Sequence, residues 1–144
     1  MTAFWTVHGV ALTLAIVAAL WELRTEKIPN ALCVVGLAAG ACLIVVDSAL
    51  VSHGEGFFVG FTPAVALYRR GYLGGGATKW LGVVGWMVGL HTTLLMWPVL
   101  LSAAAVLFVH HRVRNRSNEP VNMPSAPVIL VAALIATLVD WPLR

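Results

Sequence analysis

Charge is what this chain has least of. Of 144 residues only nine are Lys or Arg and six are Asp or Glu, together 10%, while 60% are hydrophobic. A soluble domain carries about a quarter charged residues, and the mean hydropathy of +0.89 points the same way. This composition excludes a soluble enzyme and a disordered chain. Cysteine is nearly absent as well, with Cys33 and Cys42 alone, which excludes a secreted disulfide scaffold. On one helix these two stand about 13 Å apart on roughly opposite faces, too far to bridge. No Cys/His spacing suggests a metal, and no cofactor is implied. The first apolar run lacks a basic leader and a small-residue cleavage site, so it does not read as a signal peptide.

What is present is a series of apolar runs, each near the roughly 20 residues that cross a bilayer. The expected fold class is all-α, a single polytopic membrane domain over residues 1–144 with about six transmembrane helices. The expected spans are about 3–21, 31–51, 56–68, two within 80–109, and 124–141. Pro29 stops the first helix and Asn30 is placed to cap the second. Ser52-His53-Gly54-Glu55 reads as a polar break, Pro63 as a kink, and His91-Thr92-Thr93 as the turn inside the uncharged stretch from Trp80 to Val109. With the N-terminus outside, Arg24, Lys27, Arg69, Arg70, Lys79, Arg112, Arg114 and Arg116 all fall on the cytoplasmic side, leaving only Arg144 outside. Trp21 and Trp80 at the inner boundary and Trp5 and Trp141 at the outer one read as interfacial anchors. Basic residues so placed are a membrane signature and imply no nucleic acid. Gly36/Gly40, Gly56/Gly60 and Gly85/Gly89 are GxxxG pairs, read as close helix packing inside one bundle.

Ionisable groups near a span are costly and each is worth weighing. His8 reads as a hydrogen-bonded packing histidine. Asp47, His53, Glu55 and Asp140 read as solvated groups at the outer face. His91 has no carboxylate near it in sequence, and His110 and His111 fall in a basic loop facing lipid headgroups.

Two segments stand apart. One is Glu22-Leu23-Arg24-Thr25-Glu26-Lys27-Ile28-Pro29-Asn30 and the other is Gly74-Gly75-Gly76-Ala77-Thr78-Lys79. The second lacks the GxxxxGK[ST] spacing of a phosphate-binding loop. Together and in this order they resemble the motifs of the prepilin peptidase family, the type IV leader peptidases, which are GxGD-type membrane aspartic proteases. Arg24, Ile28, Pro29 and Asn30 match the first motif, with Glu22 where its Asp belongs. Gly74, Gly76 and Lys79 match the second, with Ala77 where its Asp belongs. Met123-Pro124-Ser125-Ala126-Pro127 is similar to the family's proline-containing entry into its last helix. The chain has no counterpart of the cysteine-containing domain of the long enzymes, and so resembles the short Tad-type and archaeal forms.

The resemblance implies a protein of the prokaryotic inner membrane that removes prepilin leader peptides at the cytoplasmic face, with prepilin-like proteins, pilus or secretion machinery and membrane lipid as partners. An aspartic protease needs two carboxylates sharing one proton. Glu22 keeps a carboxylate on an arm longer by one methylene, and Ala77 supplies neither acid nor hydrogen bond. The expectation is therefore a degenerate catalytic pair and a non-cleaving component. A working or mutationally inactivated peptidase that draws its second acid from Glu26 or Glu119, and a small transporter or scaffold subunit, stand as alternatives.

Overall fold

The computed structural model describes residues 2–114 and 125–140. It is all-α, with five helices: α1 (Thr2–Thr25), α2 (Asn30–Asp47), α3 (Leu50–Arg69), α4 (Gly75–Arg114) and α5 (Ser125–Asp140). Two stretches, Trp5–Thr25 and Gly75–Ala103, are long and apolar enough to cross a membrane. Arg116, Glu119, the Met123-Pro124 entry, Trp141 and Arg144 lie outside the described residues, as do the side chains of Asp47, His110, His111, Arg112 and Arg114.

The helix ends follow local backbone chemistry. Glu26 (φ 57°) ends α1 in the left-handed region, its N–H bonding the Glu22 carbonyl at 2.7 Å. Ser48, also at φ 57°, ends α2 with its N–H on the Ile44 carbonyl at 2.8 Å. The break between the second and third helices is thus at Ser48-Ala49. The expected break at Ser52-His53-Gly54-Glu55 is instead helical, inside the first turns of α3.

Helix α4 is two helices joined at Gly89, whose φ of 79° and ψ of 177° define a region essentially reserved for glycine. Here the chain doubles back. Thr93 Oγ1 lies 3.3 Å from where a Gly85 Cβ would stand, although eight residues of straight helix rise about 12 Å. Neighbours along α3 show the reversal directly. Gly56 faces Gly85 and Gly60 faces Leu81 on the first arm, whereas Ser52 meets Leu90 and Val59 meets Trp97 on the second. Thus α3 runs antiparallel to one arm and parallel to the other. The turn lies at Gly89, and the expected His91-Thr92-Thr93 turn is the start of the second arm. Glycine's freedom at positive φ marks the reversal; the polarity of the next residues does not.

Breaking a helix frees backbone groups, and α3 meets them. The Leu90 N–H, cut off from the Trp86 carbonyl, donates to Ser52 Oγ at 3.2 Å, while that carbonyl accepts from His53 Nδ1–H at 2.6 Å. Pro63 leaves the Val59 carbonyl without its usual intrahelical donor, and the Trp97 indole N–H supplies one at 3.0 Å. His53, read from sequence as solvated, is therefore buried; Glu55 is exposed as expected.

On α1 and α5 the buried face is mostly small residues and the exposed face mostly large aliphatics. Helix α1 buries Val7, Ala11, Ala15, Ala18 and Ala19 and exposes Ile16, Val17, Leu20 and Leu23. Helix α5 buries Ala126, Ala132, Ala133 and Ala136 and exposes Val131, Leu134, Ile135, Leu138 and Val139. A methyl added at Gly36 would overlap Val83, one at Gly40 would overlap Trp86, and one at Gly56 or Gly85 would overlap the other's carbonyl oxygen. All three GxxxG pairs thus pack inside the bundle. Trp5 and Trp21 are exposed, but Trp80, expected at a boundary, is wholly buried because the glycine face of α2 gives its ring room beside Gly36.

Candidate functional site

The end of the bundle formed by the last turn of α1 and the starts of α2, α4 and α5 carries both motif segments, and the fold brings them together. Gly76, in the first turn of α4, lies against the Ile28-Pro29 turn: a Cβ there would stand 3.2 Å from Ile28 Cβ and 3.4 Å from its N. Lys79 Nζ donates to Asn30 Oδ1 at 3.1 Å. Asn30 does not cap α2, whose N-cap is Pro29 without a side-chain bond; its amide ties the two segments instead. The Gly74 carbonyl accepts from the Thr78 N–H at 3.1 Å and its hydroxyl at 3.0 Å, starting α4. Arg24, Lys27, Arg69 and Arg70 are exposed at these helix ends.

Glu22 and Ala77, the two positions that the resemblance would pair, have separate fates. Glu22 is buried (8% exposed), and both its oxygens are engaged. Oε1 accepts from Ser125 Oγ at 2.9 Å, and Oε2 accepts a short bond from the Ala126 N–H. The carboxylate caps the first turn of α5, where free amides and the helix dipole favour an anion. Glu26, the nearest alternative acid, is exposed. Ala77 is buried at 2% and contributes only a methyl. One turn along the same face, the Trp80 indole N–H is the single buried side-chain donor without a partner among the described residues.

The opposite end holds a second polar group that sequence order concealed. Asp140, at the last turn of α5, is fully buried rather than solvated. Its Oδ1 accepts from His91 Nδ1 at 2.6 Å and its Oδ2 from Thr92 Oγ1 at 2.7 Å. Because Thr92 spends its proton on Asp140, the hydroxyl oxygen accepts from His8 Nε2 at 3.2 Å. His8 is thus a hydrogen-bonded packing histidine as expected, and His91 has the carboxylate that its sequence neighbours lack. His8 and Thr92 are 1% and 0% exposed, whereas the His91 side chain is 52% exposed. The available clue was an ionisable residue at the end of an apolar run; its partners His91 and Thr92, 49 and 48 positions away, are brought to it by the packing of α4 on α5. Among the described residues no group of three or more His, Cys, Asp or Glu is arranged to hold a metal.

Comparison with models of known protein families, with curated proteins and with solved structures gave no match.

Proposed function

We propose that this chain is an integral protein of the prokaryotic cytoplasmic membrane, similar to the short prepilin peptidases but without their catalytic pair, and that it serves as a non-cleaving component of a pilus or secretion assembly. Its six helical rods, counting the two arms of α4, would cross the bilayer with the basic helix ends inside. Small residues within and large aliphatics without is the pattern expected where lipid solvates the outside and close packing holds the inside.

The observation that carries the reading is the joining of the two motif segments, Gly76 on Ile28 and Lys79 on Asn30, 49 residues apart in sequence. The unmet indole N–H of Trp80, one turn from Ala77 where the family's motif places an acceptor, supports this reading. Glu22 is committed to α5, so a single carboxylate restored at residue 77 would face no free partner.

The test is cleavage of a matched prepilin in membranes by this chain, by Ala77→Asp, and by Glu22→Asp/Ala77→Asp. The expected result is no cleavage by the unmodified chain and measurable cleavage by the double variant. Cleavage by the unmodified chain overturns the non-cleaving role. A folded but silent double variant overturns the peptidase-like reading.

A small transporter is the second reading, and the buried carboxylate of Asp140 favours it, since transporters place ionisable groups inside the bundle. A solute-dependent proton flux in liposomes, abolished by Asp140→Asn, would support it.

A further inference from the structure

We propose that the groove between α3 and the second arm of α4 holds one acyl chain of an anionic phospholipid of the inner leaflet, with the lipid phosphate resting on Arg69 and Arg70. Such a site rests on the membrane orientation proposed above and owes nothing to the peptidase-like reading.

The groove exists because α3 stands at the margin of the bundle. It packs on α4 and lightly on α2, and among the described residues it touches neither α1 nor α5. Phe58, Val59, Thr62 and Pro63 form one wall and Leu94 and Trp97 the other, around about 530 Å³, within the range of about 300–1,000 Å³ that small-ligand sites occupy. The Trp97 indole N–H is already taken by the Val59 carbonyl at 3.0 Å, so the Thr62 hydroxyl is the one polar side-chain group left in the lining.

The apolar walls lead to charge. Positions 59, 62, 63, 66, 69 and 70 recur at helical intervals and share one face of α3. After the exposed Ala66 that face carries Arg69 and Arg70, both exposed and neither with a hydrogen bond or ion pair among the described residues. Tyr68 and Tyr72, 52% and 68% exposed, stand at the same level, as aromatic rings do where hydrocarbon meets headgroup. A groove for hydrocarbon that opens on two free cations is complementary to an anionic amphiphile, and anionic lipid is what the cytoplasmic leaflet offers.

Length selects a lipid over a spanning helix. From Phe58 to Arg69 α3 rises about 16 Å, close to one leaflet's half of the roughly 30 Å hydrocarbon core. One turn before Phe58 the same face carries Glu55, exposed, and the apolar stretch ends there. A lipid chain one leaflet long stops short of that carboxylate, whereas a transmembrane partner would have to cover it.

The experiment is titration of the full chain in detergent micelles with phosphatidylglycerol or with phosphatidylcholine, bound lipid being counted by native mass spectrometry. The first phosphatidylglycerol should bind more tightly than phosphatidylcholine by about fivefold per arginine. Arg69→Gln/Arg70→Gln should lose that preference and Arg69→Lys/Arg70→Lys should keep it. Thr62→Trp, which fills the groove from an exposed position, should weaken both lipids. Arg24→Gln/Lys27→Gln, which removes charge at the same end of the bundle but away from α3, should leave the preference intact. Each variant is compared only at unchanged helicity. Equal affinity for the two lipids overturns the site, as does a preference that survives Arg69→Gln/Arg70→Gln or binding that ignores Thr62→Trp. Glycerol 3-phosphate binding as tightly as phosphatidylglycerol overturns it too, since the groove would then contribute nothing. Extraction of the chain from membranes by carbonate would overturn the membrane reading and this site with it, whereas an embedded chain without lipid preference overturns the site alone.

Discussion

The two ends of this bundle make opposite use of their ionisable residues. At the junction end the motif residues are nearly contiguous, yet the one buried acid, Glu22, serves as a helix cap and its counterpart position holds a methyl. At the other end no two adjacent residues form a recognisable motif except His91-Thr92, yet a buried Asp, a Thr and two His are joined by hydrogen bonds. Sequence spacing thus shows which residues lie near one another along the chain, while the fold decides which side chains are left free of structural duties. Perturbing each end in turn tests that division.

The largest effect is expected at Asp140. Replacing it with Ala takes the acceptor from His91 Nδ1 and Thr92 Oγ1. Each donor left without its acceptor costs about 1–3 kcal/mol, less at the half-exposed His91 than at the buried Thr92, for a total of about 3 kcal/mol. Denaturant or thermal unfolding in detergent reads it directly. A loss below about 1 kcal/mol, the size of an ordinary hydrogen bond, would mean that the network is decoration.

Next come the groups that repair the Gly89 break. Ser52→Ala strands the Leu90 N–H and His53→Leu strands the Trp86 carbonyl, each at about 1–3 kcal/mol. The two changes disturb one reversal, so their double variant should cost less than the sum. Strict additivity in a double-mutant cycle would separate the two contacts and contradict a shared role.

Much of this architecture was legible in the sequence. Pro29 does end the connection before α2, the basic residues do gather at helix ends, and the GxxxG pairs do pack internally, because each reports a local property: a missing N–H, an interfacial charge, an absent Cβ. What was hidden depends on contacts between distant segments. The reversal fell on Gly89 rather than on the polar His91-Thr92-Thr93 because backbone geometry, not polarity, limits a tight turn. Capping is local and predicts a cap at Asn30, yet its amide is taken by Lys79 from 49 positions away. Asp140 and Glu22 were both placed at helix ends correctly, but the end of a helix is exposed only if nothing packs over it.

Returning to the junction, Glu22→Gln should cost about 1–2 kcal/mol, the value of an N-terminal cap and its dipole interaction. Gln preserves the arm length but presents an N–H₂ group to one of the two donors that Glu22 now satisfies. If the carboxylate were held for catalysis rather than for α5, Gln would fold as stably as Glu, and amide exchange over Ser125–Ile129 would be unchanged. Faster exchange confined to that first turn of α5 is the expected signature.

The smallest effect is expected at Lys79→Ala. Its ammonium group bonds Asn30 at 3.1 Å, but both residues are exposed, and water replaces such a contact at a cost within about 0.5 kcal/mol. The junction is held instead by the close approach of Gly76 to Ile28, whose Cβ and backbone leave no room for a larger residue at position 76. A double-mutant cycle of Lys79→Ala with Asn30→Ala should therefore give a coupling near zero, while Gly76→Val, which forces Ile28 to move, should loosen the segment in exchange measurements. A coupling well above 1 kcal/mol would reverse this ranking and make the lysine–asparagine tie the element that holds the two segments together.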